Sequence, residues 1–600
     1  MADEKRGDSW RQFHQANLTK KALSKRAKKA QAATLRHARK FLVSRWENIR
    51  SVRRHVATWI VVVGLLVAAT ALQLHWFQQS YTTTASTAGG TYAEGVVGPI
   101  ETLNPLFASS SAELSARKLL FSSLYSYDDT GHLQSDLATS LTTSEKSTVY
   151  TVKLRKNVQW QDDTPLTAKD VAFTVGLIKN TAVRSVITGW QNIDVKVLDD
   201  TTVQFTLPTT YAAFPHALTF PIVPEHILGK VDPSSLRQSS FSEHPVGSGP
   251  FEFRLLQIVN ADEGRKVVHL VASSSYYRGA PKLAHFQLHS YDSSTAIASA
   301  LRTGEINATP DLPIDQIVSL DTKRFNTISR PISSGVYALF NTTSDILKDR
   351  TVRQALQAAT DTNALRAQMK GSVQSLDLPF INGQLTGSTV PKRPAADAKQ
   401  AAALLDKAGW LVGTDGVRAK DGKQLKLAIT APKGSEYEKA LEVIAGQWRT
   451  LGVGVTTQLV DTSDATENVL QTVLQPRSFD VLIYTLAIGA DPDVYAYWDS
   501  LQSSQRGLNF SNYSSVVADD ALVSARSRVE PALRNAKYIA FAKQWLDDAP
   551  AVGLYQSNMY YASTKTTRTV NDTMTLISPV NRYSDILYWS VDTKPVYKTP

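Results

Sequence analysis

The feature that most constrains this chain is an uncharged run of 19 residues, Val56–Leu74 (VATWIVVVGLLVAATALQL). As a helix it spans about 28 Å, enough for a hydrocarbon core of about 30 Å. Thr58, Thr70 and Gln73 lie toward its ends, with Trp59 near one end and Trp76 and Phe77 just past the other, where interfacial aromatics stand. The alternative, a buried core helix, is disfavoured because no amphipathic stripe interrupts the run. Arg45, Arg50, Arg53 and Arg54 precede it, and residues 75–100 hold no Lys or Arg. That asymmetry places residues 1–55 in the cytoplasm and 75–600 outside a cell membrane crossed once. A cleaved signal peptide would have an apolar core of about 7–15 residues after a short basic leader. Here the core is 19 residues and the leader 55, which favours an uncleaved anchor. The small residues Thr82–Gly90 (TTTASTAGG) read either as a cleavable stretch or as part of a flexible tether over 75–89.

The net charge of +11 belongs to one end of the chain. Residues 1–74 carry 16 Lys and Arg against 4 Asp and Glu, leaving 49 basic and 50 acidic groups for residues 75–600. The main body therefore has no large basic surface, and no nucleic-acid partner is expected. The tail from Lys20 to Arg54 is rich in Ala, Lys, Arg and Leu, which predicts a basic helix near anionic headgroups. A solvated topology determinant is the plainer reading, and RNA or a cytoplasmic partner for this tail stays open. There is no cysteine, which excludes disulfides, thiolate metal sites and cysteine catalysis.

Beyond the tether, strand-like and helix-like segments alternate. Val149–Arg155 has the alternation of a half-buried strand, and Thr167 with Asp170 forms a capping-box pattern before an apolar run to Lys179. Ile193–Leu198 and Thr202–Leu207 read as a hairpin. Helices are predicted over Asp349–Leu365, Ala395–Ala408, Glu436–Leu451 and Asn535–Leu546, and strands over Gln424–Thr430, Val453–Val460 and Phe479–Ala487. No repeat of 20–50 residues recurs. The fold class is mixed α/β, large enough for more than one core.

A search for catalytic patterns finds no GxSxG, HExxH, Walker loop or nucleotide-binding GxGxxG. His285 and His289 fall on one face of an alternating run, about 13 Å apart as a strand, too far for one metal ion. Nothing singles out a pair of carboxylates for acid–base work. No enzyme activity, metal or cofactor is expected.

Read in order, a series of blocks carries more information than any one of them. They are Gly90–Leu106 (GTYAEGVVGPIETLNPL), Leu119–Tyr127 (LLFSSLYSY), Leu133–Ala138 (LQSDLA), Tyr150–Trp160 (YTVKLRKNVQW) and Asp162–Val171 (DDTPLTAKDV). Then follow Ile222–Leu228 (IVPEHIL), Val246–Phe251 (VGSGPF), Arg350–Ala359 (RTVRQALQAA), Leu404–Trp410 (LLDKAGW), Ala490–Trp498 (ADPDVYAYW) and Gly507–Tyr513 (GLNFSNY). This arrangement, over residues 90–590, resembles the extracytoplasmic solute-binding proteins of peptide ABC transporters, the dipeptide/oligopeptide-binding (family 5) group. Asp163 stands where relatives usually have Gly, a mild departure because Asp tolerates a left-handed turn.

The resemblance implies a two-lobed, periplasmic-binding-protein-like clamp with an additional inserted domain, preceded by one transmembrane helix. Domain I would comprise 90–121, 247–335 and 553–600, domain II 122–246, and domain III 336–552. A peptide or similar small polar ligand would bind between the lobes and be delivered to ABC permease subunits. The same fold kept as a ligand-sensing surface receptor, signalling through the basic tail, is the alternative. Expected ligand-binding positions are Glu94, Gly98 and Asn104 at the end of the first strand and the loop after it. Tyr484, Ile488, Gly489, Asp491, Asp493, Tyr495 and Trp498 are expected around the Asp-Pro-Asp motif. In peptide-binding relatives an Asp three positions ahead of Asp491 pairs with the ligand amine, and this chain has Ile488 there. A blocked, longer or non-peptide guest then becomes more attractive, with Asp491 and Asp493 as possible substitutes. Asp491 followed by proline also reads as a helix N-cap, and the aromatic residues as core.

Overall fold

A computed structural model describes residues 46–597 of the chain, apart from 262, 463–466 and 592. The expectation for the tail over 20–45 lies outside the described residues. The apolar run sits in one helix, Trp46–Tyr81. Within it Val52–Phe77 is long and apolar enough to cross a membrane, and none of its most apolar stretch is buried in the protein. Trp59, Ile60 and Leu65 are each more than 60% exposed, so this is not the helix of a soluble core. The stretch expected as a tether is ordered differently. The helix continues to Tyr81, and Thr82–Ser86 pairs with Thr593–Tyr597 in a two-stranded sheet. The run Thr82–Thr84 is β-prone, and it finds a partner strand more than 500 positions away, which local reading does not reveal.

Residues 86–593 form a separate unit built on a ten-stranded mixed sheet. Its strands run, edge to edge, Gly454–Val460, Lys426–Pro432, Val481–Ala487, Phe325–Phe340, Ala551–Thr564, Ala308–Thr309, Thr91–Val97, His285–Tyr291, Arg265–Ala272 and Phe251–Asn260. The two central strands are long, 16 and 14 residues, and pair antiparallel along nearly their whole length. Their register shifts between Pro331 and Gly335 and again between Val336 and Tyr337. Proline cannot donate to the ladder, and Gly335 packs so closely that a Cβ would lie 2.2 Å from Leu376 Cδ2. The break is therefore written in the sequence at that point.

The break also divides the cores. On one side Phe325, Tyr560 and Ala562 pack with Ile297, Leu301 and Leu312, next to a large cluster around Tyr92, Leu119, Trp160, Phe205 and Trp589. On the other side Val336, Ala338 and Leu554 pack with Ile429, Ile444 and Trp448, while Tyr337 and Leu339 pack with Trp498, Tyr538 and Trp545. Two lobes thus share one pair of strands. The first lobe includes a four-stranded antiparallel sheet, in the order Ala138–Thr143, Val149–Leu154, Thr202–Thr206, Asp194–Asp199.

Most local expectations hold to within a few residues. Thr167 and Asp170 form the reciprocal capping box at the start of Ala168–Lys179, and Asp163 has a left-handed φ of 66°. Besides the tether, one predicted helix differs. The helix predicted over Asp349–Leu365 is two helices, Arg350–Ala359 and Thr362–Gln368. Asp361 caps the second by accepting from Ala364 N at 2.9 Å, and Trp448 Nε1 donates to Thr360 Oγ1 at 3.0 Å, a tertiary contact that fixes the corner.

Candidate solute-binding cleft

The lobes touch at both ends of a seam. At one end Tyr560 Oη of the first lobe donates to Glu436 Oε1 of the second at 2.7 Å, and Lys370 Nζ lies 2.5 Å from Asp315 Oδ1. Burial pushes the Glu436 carboxyl up, against the opposing pull of the Tyr560 bond. Beside this contact is a cavity of about 580 Å³, walled by Val97, Asp311, Leu312 and Gln316 on one side and by Gly434 and Ser435 on the other.

At the other end the Arg526 carbonyl accepts from Ala212 N at 2.8 Å, and its guanidinium lies 4.7 Å from the ring centre of Tyr211 and 4.3 Å from that of Tyr495. Here a cavity of about 680 Å³ is walled by Thr188–Ile193, Leu207–Tyr211 and Phe214 of the first lobe and by Tyr495, Val523, Arg526 and Ser527 of the second. Trp190, packed edge-on against Phe214 and Phe220, gives that wall its aromatic character. Both volumes suit small guests, and apolar walls with a few placed polar groups are what such sites require.

The strand Val481–Ala487 delivers the Asp-Pro-Asp loop to the second end. Ile488 N and Gly489 N both donate to Ser333 O, at 3.0 and 2.9 Å, so the loop is tied to the strand break itself. Gly489 has φ 85°, which the turn there requires. Ile488 is only 6% exposed and packs in the second lobe's core. Asp491 is not a helix cap, because the short helix Tyr495–Trp498 has Val494 at its N-cap. Its carboxylate is held by Arg534 through two bonds of 2.5 Å each. Burial disfavours the Arg534 cation, yet Asp491 outweighs it and the pKa rises. Asp493 Oδ2 lies 3.0 Å from Arg526 Nε, and burial raises its pKa in spite of that cation. His216 Nε2 is 3.8 Å from Asp491 Oδ2, and its Nδ1 is 2.9 Å from Tyr127 Oη. Burial lowers the His216 pKa, which keeps the ring neutral near pH 7.

The ten expected positions therefore separate. Ile488, Gly489, Asp491, Asp493 and Tyr495 gather at one end of the seam. Gly98, with φ 118° and its N–H donating to Tyr291 O at 2.9 Å, follows Val97 at the other end. Tyr484 is half-buried against Phe510, and Trp498 is enclosed by Tyr337 and Trp545. Asn104 is fully buried, and its Oδ1 accepts from Leu106 N to hold a turn.

Glu94 lies in the first lobe's interior and has no exposed surface. Its Oε1 takes Arg582 Nη2 at 2.6 Å and the Tyr583 hydroxyl, and its Oε2 takes Tyr561 Oη at 2.9 Å. Glu94 is thus a buried structural anion, with its oxygens already occupied. The reading of sequence blocks did not point to Arg526, Arg534, Tyr211, His216 or Glu436. Arg534 meets Asp491 across 43 positions, and no spacing rule links them.

A pair of lobes joined by two continuous strands, with apolar cavities and ion-paired loops along their seam, defines a solute-binding clamp. The sequence matches the bacterial extracellular solute-binding proteins, family 5, over residues 132–555, and the chain belongs to that family. The oligopeptide-binding protein AppA of Bacillus subtilis (strain 168) is 27% identical over 487 residues, which cover 79% of this chain and 87% of that protein. The structure of AppA in complex with a nonapeptide superposes with a TM-score of 0.70 at 25% identity, covering 84% of this chain and 99% of that one. NikZ of Campylobacter jejuni in complex with Ni(L-His) gives 0.71 at 25% identity, covering 83% and 99%. These relatives are solute-binding proteins, not enzymes.

Proposed function

We propose that this chain is a membrane-anchored, extracytoplasmic solute-binding protein that captures a peptide or similar small polar solute between its lobes and hands it to the permease of an ABC importer. The observation that carries the reading is the shared strand pair, broken at Pro331–Gly335, with cavities of about 680 and 580 Å³ along the seam. Closing such a seam around a guest excludes water, and only a guest that binds the closed form better than the open one can drive it. The uncharged helix and the basic residues before it support an anchor with a cytoplasmic N-terminus. In this reading the first lobe comprises domains I and II and the second is domain III.

The guest contacts fall to Gly98 and to Gly489 and Tyr495, with Asp491 and Asp493 setting the charge of the loop. Both carboxylates are neutralised by arginines of their own lobe, and Ile488 offers no charge. A free amine would therefore find no unpaired anion at that end, which favours a blocked or longer peptide, or a non-peptide guest. The test is calorimetry and native mass spectrometry of the full chain in detergent, with random nonapeptides carrying free or acetylated N-termini. One guest retained per chain, with acetylated peptides bound at least as tightly as free ones, is the expected result. Retention of neither would reject the peptide reading, and preference for free amines would reject the argument from Ile488.

A further inference from the structure

The structure leaves two cations without a hydrogen-bonded or ion-paired partner in a pocket away from the seam cavities. Arg117 and Lys118 lie in the last turn of the helix Ser111–Leu120 and line a cavity of about 140 Å³. Its other walls are Ser123, Tyr125, Ser126, Tyr127 and Thr219 on one side and Ile577, Ser578 and Asn581 on another. No carboxylate is among these lining residues. Elsewhere the buried arginines are engaged: Arg582 by Glu94, Arg418 by Asp406, Arg353 by the Asp548 carbonyl. The carboxylate that acts on Lys118, Asp136, is itself taken up by Tyr277 Oη at 2.5 Å and approached by Arg278 at 3.7 Å. Both side chains are half-buried; burial pushes Arg117 down to about 10 and lowers Lys118 as well, with Asp136 offsetting only part of the Lys118 shift. Ser126 is only 4% exposed, and its Oγ has no hydrogen-bond partner. A buried hydroxyl left unpaired in a cavity lined by two cations is costly unless something fills that cavity.

We infer that this pocket binds a compact anion, a phosphate or carboxylate group, held by Arg117, Lys118 and Ser126. The bond type follows from the donors. A guanidinium and an ammonium present fork and point donors to oxyanions, and a serine hydroxyl adds a neutral one. The volume admits a group the size of phosphate and excludes a whole peptide. Two sources share this chemistry. One is a free oxyanion, and the other is the carboxylate end of a guest reaching in past the wall formed by Tyr127 and His216, which stands between this pocket and Asp491.

The test measures thermal unfolding of the full chain in detergent with inorganic phosphate against chloride at matched ionic strength. At phosphate about 100-fold above its Kd, the midpoint is expected to rise by roughly 2–4 °C. The rise should vanish in Lys118→Met and shrink in Ser126→Ala. Lys118→Met should itself unfold no lower than the parent without phosphate, because burial disfavours the Lys118 charge more than Asp136 supports it. No rise in the parent, or an equal rise in all three proteins from general salting, would overturn the inference. A second arm, which rests on the proposed solute-binding function, adds random nonapeptides with free or amidated C-termini. Loss of the phosphate effect with free but not amidated peptides assigns the anion to the guest, and an unchanged effect assigns it to a free oxyanion. Failure of peptides to bind leaves the phosphate arm standing by itself.

Discussion

Glu94 and Arg582 form the most completely enclosed ion pair described, at 0% and 1% side-chain exposure. Replacing Arg582 with Met removes the bonds to Glu94 at 3.1 and 2.6 Å, to Ser115 Oγ at 2.8 Å and to the Pro579 carbonyl at 2.8 Å. Removing one partner of a buried pair costs about 3–5 kcal/mol, because the other charge is left unpaired. Glu94 would keep the hydroxyls of Tyr561 and Tyr583, which places the expected cost near the lower end, about 3 kcal/mol. A cooperative unit of about 500 residues has an unfolding entropy near 1 kcal/mol per degree, so the midpoint should fall by about 3 °C. Scanning calorimetry of the full chain in detergent measures this. The double variant Glu94→Gln, Arg582→Met removes both charges and should recover more than half of the loss, since the pair is coupled. Solute affinity of the folded variants should be unchanged, because neither side chain reaches the seam. A single variant that melts with the parent, a double variant no better than the single, or a Glu94→Gln protein that folds normally but no longer binds solute would refute the reasoning.

Three other outcomes follow from the same geometry. Tyr560→Phe deletes a charge-assisted bond that exists only when the lobes meet, worth about 1.5–3 kcal/mol, so solute affinity should fall roughly 10- to 150-fold with little change in stability; titration calorimetry reads the affinity and scanning calorimetry the stability. Gly553→Ala would set a Cβ 2.3 Å from the Leu376 carbonyl oxygen beside the strand break, so unfolding should come several degrees earlier and solute-driven closure, followed by small-angle scattering, should be impaired. Asp311, whose carboxyl burial raises to about 6 against the opposing Val97 N–H bond, binds its proton more tightly folded than unfolded. Stability from this group is present at low pH and is lost as pH rises through about 6. Asp311→Asn should therefore gain about 1–2 kcal/mol above pH 6 after allowance for partial exposure, and urea titrations at pH 5 and pH 7.5 should show a larger loss of stability with rising pH in the parent than in the variant.

What the sequence by itself determined is local or depends on order along the chain. The apolar run and its flanking arginines specify a membrane-length helix, because hydropathy and charge asymmetry need no tertiary partner. Thr167 with Asp170 specifies a cap, because the bonds join residues three apart. The ordered blocks specify the family, since they are signatures of one chain rather than of one contact. Tertiary structure alone decided the fate of individual charges. Whether Asp491 caps a helix or is held by Arg534, whether Glu94 meets a guest or Arg582, and whether Arg117 and Lys118 find a carboxylate depend on residues brought together from distant positions. The physical reason is that a carboxylate's role is set by the nearest cation and by access to water. Both are properties of the packed lobes, and neither leaves a period or a motif in the chain.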